Sequence, residues 1–190
     1  AFSGTENLTI PPTPPRLIRV GERTNVAGSR RFLRLMQSGQ LAKALSVARE
    51  QVAAGADIID VNMDDPLLDA ETAMKTFLHA VADEPELAAV PVMIDSSDWE
   101  VVRAGLACLP GRGIVNSISL KDGEQPFLAH AADIRRLGAA ALVMCFDEKG
   151  QADTLERRCA IAERSYALLT KNGFPPELII IDPNVFAIAT

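Results

Sequence analysis

Apolar and polar positions along this chain follow two alternating rhythms. Short apolar runs, each leading into or carrying Asp or Asn, fall at residues 57–62, 90–95, 113–119, 139–146 and 178–182, and an opening run lies at 17–20. Between them apolar residues recur three and four apart, the spacing of a helix with one buried face. Leu41, Ala44, Leu45, Ala48 and Val52 make one such stripe, with Gly55 as its stop. Leu67, Ala70, Met74, Phe77, Leu78 and Val81 make another, and Asp64 or Asp65 before Pro66 reads as its start. Further helices are expected from Asp98 to near Gly111 or Gly113, over 126–137 closed by Gly138, and over 153–172 closed by Gly173. Ser97-Asp-Trp-Glu100 has the form of a capping box. The opening strand at 17–20 is expected to end in Gly21-Glu-Arg-Thr-Asn25, and a loop over 26–29 to lead to a basic, apolar segment through Met36.

Strands this apolar are buried on both faces, and strict alternation with helices makes their sheet parallel. A doubly wound sheet and a barrel both have this order. A complete (β/α)₈ barrel takes about 250 residues, or roughly 31 per unit. Six strands in 190 residues match that rate. The expected fold is α/β, of the (β/α)₈ TIM-barrel type, truncated to about six units over residues 17–190 with the C-terminal units missing. Residues 1–16 contain Pro11, Pro12, Pro14 and Pro15 and read as a Pro-rich inter-domain linker, as though cut from a longer chain.

Composition narrows the function classes. Hydrophobic content of 48% with only 5% aromatic residues leaves Leu, Ile, Val and Ala to fill the core. A formal charge of −6 with scattered basic residues argues against a nucleic-acid groove. No apolar run approaches the roughly 20 residues of a membrane span, and no signal peptide is visible. Cys108, Cys145 and Cys159 have neither metal-site nor disulfide-framework spacing and are expected to be unpaired in a reducing cytoplasm.

A barrel keeps its functional groups at the C-terminal strand ends. Here those positions hold Asn25, Asp60, Asn62, Asp95, Asn116, Asp147, Asp182 and Asn184, with almost no His or Lys. Any one of them alone is as readily a helix N-cap; together on one rim they make a site. Carboxylates without cations suit a neutral or cationic heterocycle rich in N–H donors. A pterin is such a ligand, because its 2-amino group and N3–H form a donor pair for one carboxylate, and Asn side chains supply donor and acceptor to the rest of the ring edge. A phosphate ligand would call for a Gly-rich loop with Lys, and no G-x-x-x-x-G-K-[ST] is present. Asp60, Asn62, Asp64 and Glu71 imitate the spacing of a calcium loop, but Asp65 stands where that loop needs Gly, and a strand precedes it, so no metal is expected. Arg30, Arg31 and Arg34 form a small basic group that is either a solvated face or a contact for a ligand carboxylate.

Gly21-Glu-Arg-Thr-Asn-Val-Ala-Gly-Ser29, Asp60-Val-Asn-Met-Asp-Asp65, Ile94-Asp-Ser-Ser97, Gly113-Ile-Val-Asn-Ser-Ile-Ser119, Phe146-Asp-Glu148 with Gly150-Gln-Ala-Asp153, and Asp182-Pro-Asn184 closely resemble the folate-binding (pterin-binding) domain of the cobalamin-dependent methionine synthase family. The resemblance runs from about Leu17 to the end of the chain. It implies a (β/α)₈ barrel that binds 5-methyltetrahydrofolate and gives its N5 methyl to cob(I)alamin on a separate cobalamin-binding domain of the same parent chain, in methionine synthesis from homocysteine. Carried over, Asp95, Asn116 and Asp182 would hold the pterin ring, and Asp60, Asn62, Asn25 and Asn184 would line its pocket. Gly28, Ser29 and Arg30 would meet the aminobenzoyl-glutamate tail. Part of the hydrogen bonding at N5 would come from a seventh strand end that this chain does not include, and Pro66 stands where the family usually has Gly. The zinc of the family's homocysteine step would belong to another domain. Two alternatives stand beside this reading. One is a pterin enzyme like dihydropteroate synthase, whose Gly-Glu-Ser-Thr-Arg run after the second strand is replaced here by Asn62-Met-Asp-Asp65. The other is a folate-binding fragment without chemistry of its own.

Overall fold

The structure, a computed structural model, describes residues 1–11, 13 and 16–185. The fold is α/β, with a parallel six-strand sheet flanked by helices, as six units of a (β/α)₈ barrel require. It divides into two compact units, residues 1–114 and 115–190. Among the described residues no helix is long and apolar enough to cross a membrane.

The first unit opens with two short antiparallel strands, β1 (Phe2–Ser3) and β2 (Asn7–Leu8), inside the segment expected as a linker. This hairpin is seated on the unit. Phe2 is buried, the Ser3 N–H donates to the Arg112 carbonyl at 3.0 Å, and the Thr5 N–H donates to the Ala88 carbonyl at 2.7 Å. A Cβ on Gly4 would lie 2.1 Å from the Ala88 carbonyl oxygen, so the approach requires glycine. Pro12, Pro14 and Pro15 of the expected linker lie outside the described residues.

The first sheet strand, β3, runs Val20–Asn25, beginning where the apolar run at 17–20 ends and taking in the Gly21–Asn25 stretch expected as its end. As an edge strand it needs no buried alternation, and of its residues only Thr24 is fully buried. Its register shifts between Gly21 and Thr24. The buried Gln51 spans that irregularity, accepting the Arg23 N–H at 2.6 Å and donating to the Thr24 hydroxyl at 3.2 Å. The basic segment after it is a helix, α1 (Arg30–Gln37), capped by Ser29, with Phe32 as its buried anchor. Then follow α2 (Leu41–Ala53), β4 (Ile58–Asn62), α3 (Ala70–Ala82), a short α4 (Pro85–Ala88), β5 (Val92–Asp95) and α5 (Trp99–Ala107). Strands β3, β4 and β5 lie side by side in parallel. Phe32 and Phe77 meet edge to face at 5.1 Å and 79°, fixing α1 to α3, a pairing that contributes about 0.5–1.5 kcal/mol beyond its burial. A Cβ on Gly105 would press on Ile94 and Met74 at 3.0–3.2 Å, so this glycine lets α5 close on β5 and α3.

Two helix starts differ from expectation. Helix α3 begins at Ala70, because Asp69 accepts the Thr72 N–H and hydroxyl, at 3.1 and 2.8 Å. Leu67, expected in its buried stripe, is left 81% exposed on the loop. Helix α5 is capped by Asp98, which accepts the Glu100 N–H at 2.9 Å, rather than by Ser97. Ser97 has another partner, described below.

In the second unit β6 (Ile114–Ile118, beginning at the boundary), α6 (Glu124–Arg136), β7 (Ala140–Met144), α7 (Leu155–Lys171) and β10 (Ile179–Asp182) follow the expected order, with the sheet sequence β6, β7, β10. Between β7 and α7 an unexpected hairpin pairs β8 (Phe146–Asp147) with β9 (Gly150–Gln151). Its turn uses Gly150 at φ +96° and an Asp147 carboxylate accepting the Lys149 N–H at 2.9 Å. Cys145 packs with Ala152 and Ile161 as a small buried hydrophobe.

Candidate functional site

The parallel register puts three expected site residues in one row. Asn25 is level with Asn62, and Asn62 with Asp95, at the C-terminal ends of β3, β4 and β5. Asp60, two residues before Asn62, shares its face of the sheet, since side chains alternate along a strand. All of the Asp60 side chain is buried and so is Asn62, whereas Asp95 is half-buried.

Both amides are held in a single orientation. The Asn25 carbonyl oxygen accepts the N–H groups of Ala27 and Gly28 at 2.9 and 3.1 Å, so its amino group must turn inward. There it donates to Asp95 at 2.9 Å and to Asp60 at 3.2 Å. Likewise the Asn62 oxygen accepts the Asp64 N–H at 2.8 Å, and its side chain donates to Asp95. Two oriented amides therefore converge on one carboxylate. Burial pushes Asp95 above the usual carboxylate range; the Asn62 hydrogen bond opposes this, the Asp64 charge adds to it, and Asn25 and Glu22 follow in the same opposed senses. Among the described residues, the groups that act on the Asp95 charge are thus neutral donors and further acids, not a guanidinium or ammonium.

Beside this row, Asn25 and Gly28 border an open cleft with Glu22 and Arg23. Ser29 is buried as the cap of α1, its hydroxyl accepting the Phe32 N–H at 3.3 Å, and Arg30 is the exposed first residue of that helix. Asp64 was expected only as a helix cap. Its carboxylate instead accepts the Ser96 hydroxyl at 2.6 Å, the Ser97 N–H at 2.7 Å and the Ser97 hydroxyl at 2.9 Å. Neither Asp64 nor the two serines stood out as site residues in the sequence, where Asp-Asp-Pro after a strand reads as a helix start.

In the second unit Asn116 lies within β6, Asp182 ends β10, and Asn184 follows two residues on. Asp182 accepts the Asn184 N–H at 2.7 Å. Asn184 adopts φ +53°, a left-handed conformation that Asn tolerates, and is buried. Its side-chain oxygen has no hydrogen-bond partner among the described residues. A buried acceptor left unmatched costs free energy until a donor reaches it. Asp147, also at a strand end, is tied instead to Arg157 at 2.9 Å.

The family model described as Pterin binding enzyme matches residues 21–190. Among solved structures, the chain is similar to dihydropteroate synthase from Yersinia pestis, determined with a pterine-sulfa conjugate, at 16% identity and a TM-score of 0.62, over 89% of this chain and 59% of that one. It is similar to the dihydropteroate synthase of Anaplasma phagocytophilum with bound 6-hydroxymethylpterin-monophosphate, at 19% identity and a TM-score of 0.61, over 87% and 65% of the two chains. The Vibrio fischeri 7,8-dihydropteroate synthase matches at 14% identity and a TM-score of 0.66, over 97% and 67%. The chain thus spans about three fifths of the length of the first of these structures, and at such identities the likeness is one of fold.

Proposed function

We propose that this chain, which belongs to the pterin binding enzyme family, binds 5-methyltetrahydrofolate by its pterin ring and supports transfer of the N5 methyl to cob(I)alamin, a step of methionine synthesis from homocysteine. The observation that carries the reading is Asp95, a partly desolvated carboxylate fed by two oriented amides and no cation. Such a group retains the capacity to take a donor pair, and the pterin 2-amino and N3–H edge supplies one. Asp95, Asn116 and Asp182 grip the ring in this proposal. Asn25, Asp60, Asn62 and Asn184 line the pocket, and Gly28, Ser29 and Arg30 meet the tail. The unmatched Asn184 oxygen supports the assignment, since a ring N–H would satisfy it.

The loop after β4 favours methyl transfer over dihydropteroate synthesis. A pyrophosphate leaving group would there meet Asp64 and Asp65, where an anion site needs cations or free backbone N–H groups. Methyl transfer places no such demand. A neutral tertiary amine leaves poorly, so N5 must gain a proton or a strong hydrogen bond as the methyl departs. Cob(I)alamin, carried on a separate domain, supplies the nucleophile, and this chain's residues fix the ring so that the methyl lies in line. The free cysteines Cys108, Cys145 and Cys159 fit a cytoplasmic setting.

The solved structures that the chain resembles are dihydropteroate synthases, and they favour a second reading, dihydropteroate synthesis. The two are separated by assaying the chain with 5-methyltetrahydrofolate and free cob(I)alamin, followed by the loss of cob(I)alamin absorbance, beside an assay for dihydropteroate formation. Methylcobalamin formation is the expected result. Dihydropteroate without methyl transfer would overturn the proposal in favour of the second reading, and folate binding without turnover in either assay would make this a binding fragment.

A further inference from the structure

We infer that Asp64 is a positioning residue, a two-ended clasp that holds Asn62 on one side of Asp95 and the Ser96–Ser97 loop on the other; its functional consequence rests on the proposed pterin site. Its main-chain N–H anchors the Asn62 oxygen at 2.8 Å, which forces the Asn62 amino group toward Asp95. Its carboxylate takes three donors from the two residues that immediately follow Asp95: the Ser96 hydroxyl at 2.6 Å, the Ser97 N–H at 2.7 Å and the Ser97 hydroxyl at 2.9 Å. Ser96 passes the constraint on, its oxygen accepting the Asp98 N–H at 3.1 Å just before α5 begins. One residue thus closes the loop after β4 onto the loop after β5, and Asp95 sits between the two anchored ends.

Three features agree with it. Asp64 does not cap α3, because its carboxylate is engaged across strands instead of on its own chain, and the cap is Asp69. Ser97 does not cap α5, because its hydroxyl and N–H are both given to Asp64. A carboxylate is placed next to Asp95, where its charge makes ionisation of Asp95 harder. Among the described residues of this unit the acidic groups around Asp95 are Asp64 from the loop after β4, Glu22 from β3 and Asp60 from β4, which shares the Asn25 amino group with it. The clasp anchors the loops on both sides of Asp95, and its charge adds to the burial that makes Asp95 harder to ionise.

Asp64→Asn and Asp64→Glu test this in the full chain, with circular dichroism to confirm folding. In D64N the neutral side chain cannot accept three donors, and an NH₂ now faces the serines. The expected result is a loss of 5-methyltetrahydrofolate affinity of roughly tenfold, the scale of losing hydrogen bonds to a charged acceptor. The Asp95 carboxylate, followed by NMR, titrates at lower pH than in the parent, and Ser97 amide exchange quickens. D64E restores the charge and part of the affinity. A folded D64N with parental exchange at Ser97 and an unmoved Asp95 titration would overturn the inference. If the parent chain binds no pterin, the proposed function fails, while exchange and titration still decide the role of Asp64.

Discussion

The strand-end acids of the first unit and the hairpin acids of the second are held in opposite ways. In the first unit Asp60 and Asp95 face a neutral amide, Asn25, with Asn62 and Asp64 adjoining. In the second, the hairpin acids are locked to arginines. Arg157 binds Asp147, Asp153 and the carbonyls of Gly150 and Gln151, and Arg164 forks Glu148 on one side and Glu124 on the other. The electrostatic outcome differs accordingly. Burial lifts Asp95 above the usual carboxylate range, whereas the Arg164 hydrogen bond holds Glu148 down at about 2. A carboxylate answered by guanidinium is already spent on the fold, whereas Asp95, answered by amides among the described residues, is open to a ligand's donors.

The sharpest way to break this contrast is Asp95→Ala, expected to cost roughly 10- to 100-fold in 5-methyltetrahydrofolate affinity, the value of a charge-assisted donor pair. Titration calorimetry on a folded variant measures it, and unchanged affinity would remove Asp95 from the site. Next in size is Arg157→Met, which frees Asp147, Asp153 and the hairpin carbonyls at once. It is expected to lower Tm by a few degrees while leaving folate affinity as it was; an affinity loss equal to that of D95A would erase the distinction between the units.

Asp95→Asn should separate binding from stability. Because the folded state raises the Asp95 pKa, ionisation there opposes folding. That penalty is absent below the unfolded value of about 3.9 and grows as pH rises through the raised one. D95N should therefore melt slightly higher than the parent at neutral pH, with the gap closing in acid, although it binds folate worse. A gap that widens on acidification would contradict the assignment of burial as the cause. The smallest effect belongs to Glu148→Gln. A lowered carboxylate stabilises above its unfolded pKa of about 4.3 and loses that contribution as pH falls toward the folded value. The parent should exceed E148Q in Tm only slightly near pH 7, since the pair is exposed, and the two should converge in strong acid.

Much of this was legible in one dimension. Apolar runs alternating with helical stripes are set by burial on both strand faces and on one helix face, so five of the six sheet strands and the helices α2, α3, α6 and α7 could be read directly. The same repeated grammar placed Asn25, Asn62, Asp95 and Asp182 at strand ends. Reading failed where a polar group answers a distant partner. Val20–Asn25 is a strand because Gln51 repairs its irregular edge, and nothing nearby in the chain announces that. Leu67 fell into the right helical phase yet stays in solvent, because the helix starts later.

Local composition and periodicity therefore determined the α/β order, the aliphatic core and the acidic and amide character of the strand ends, since these depend on each residue's own solvation and on spacing along the chain. Tertiary structure decided which acids are neutralised by arginine, which way each amide turns, and that Asp64 reaches across to Ser96 and Ser97 rather than capping its own helix. The Asp64 contacts join residues some thirty positions apart, and an Asp looks the same in sequence whichever partner it finds.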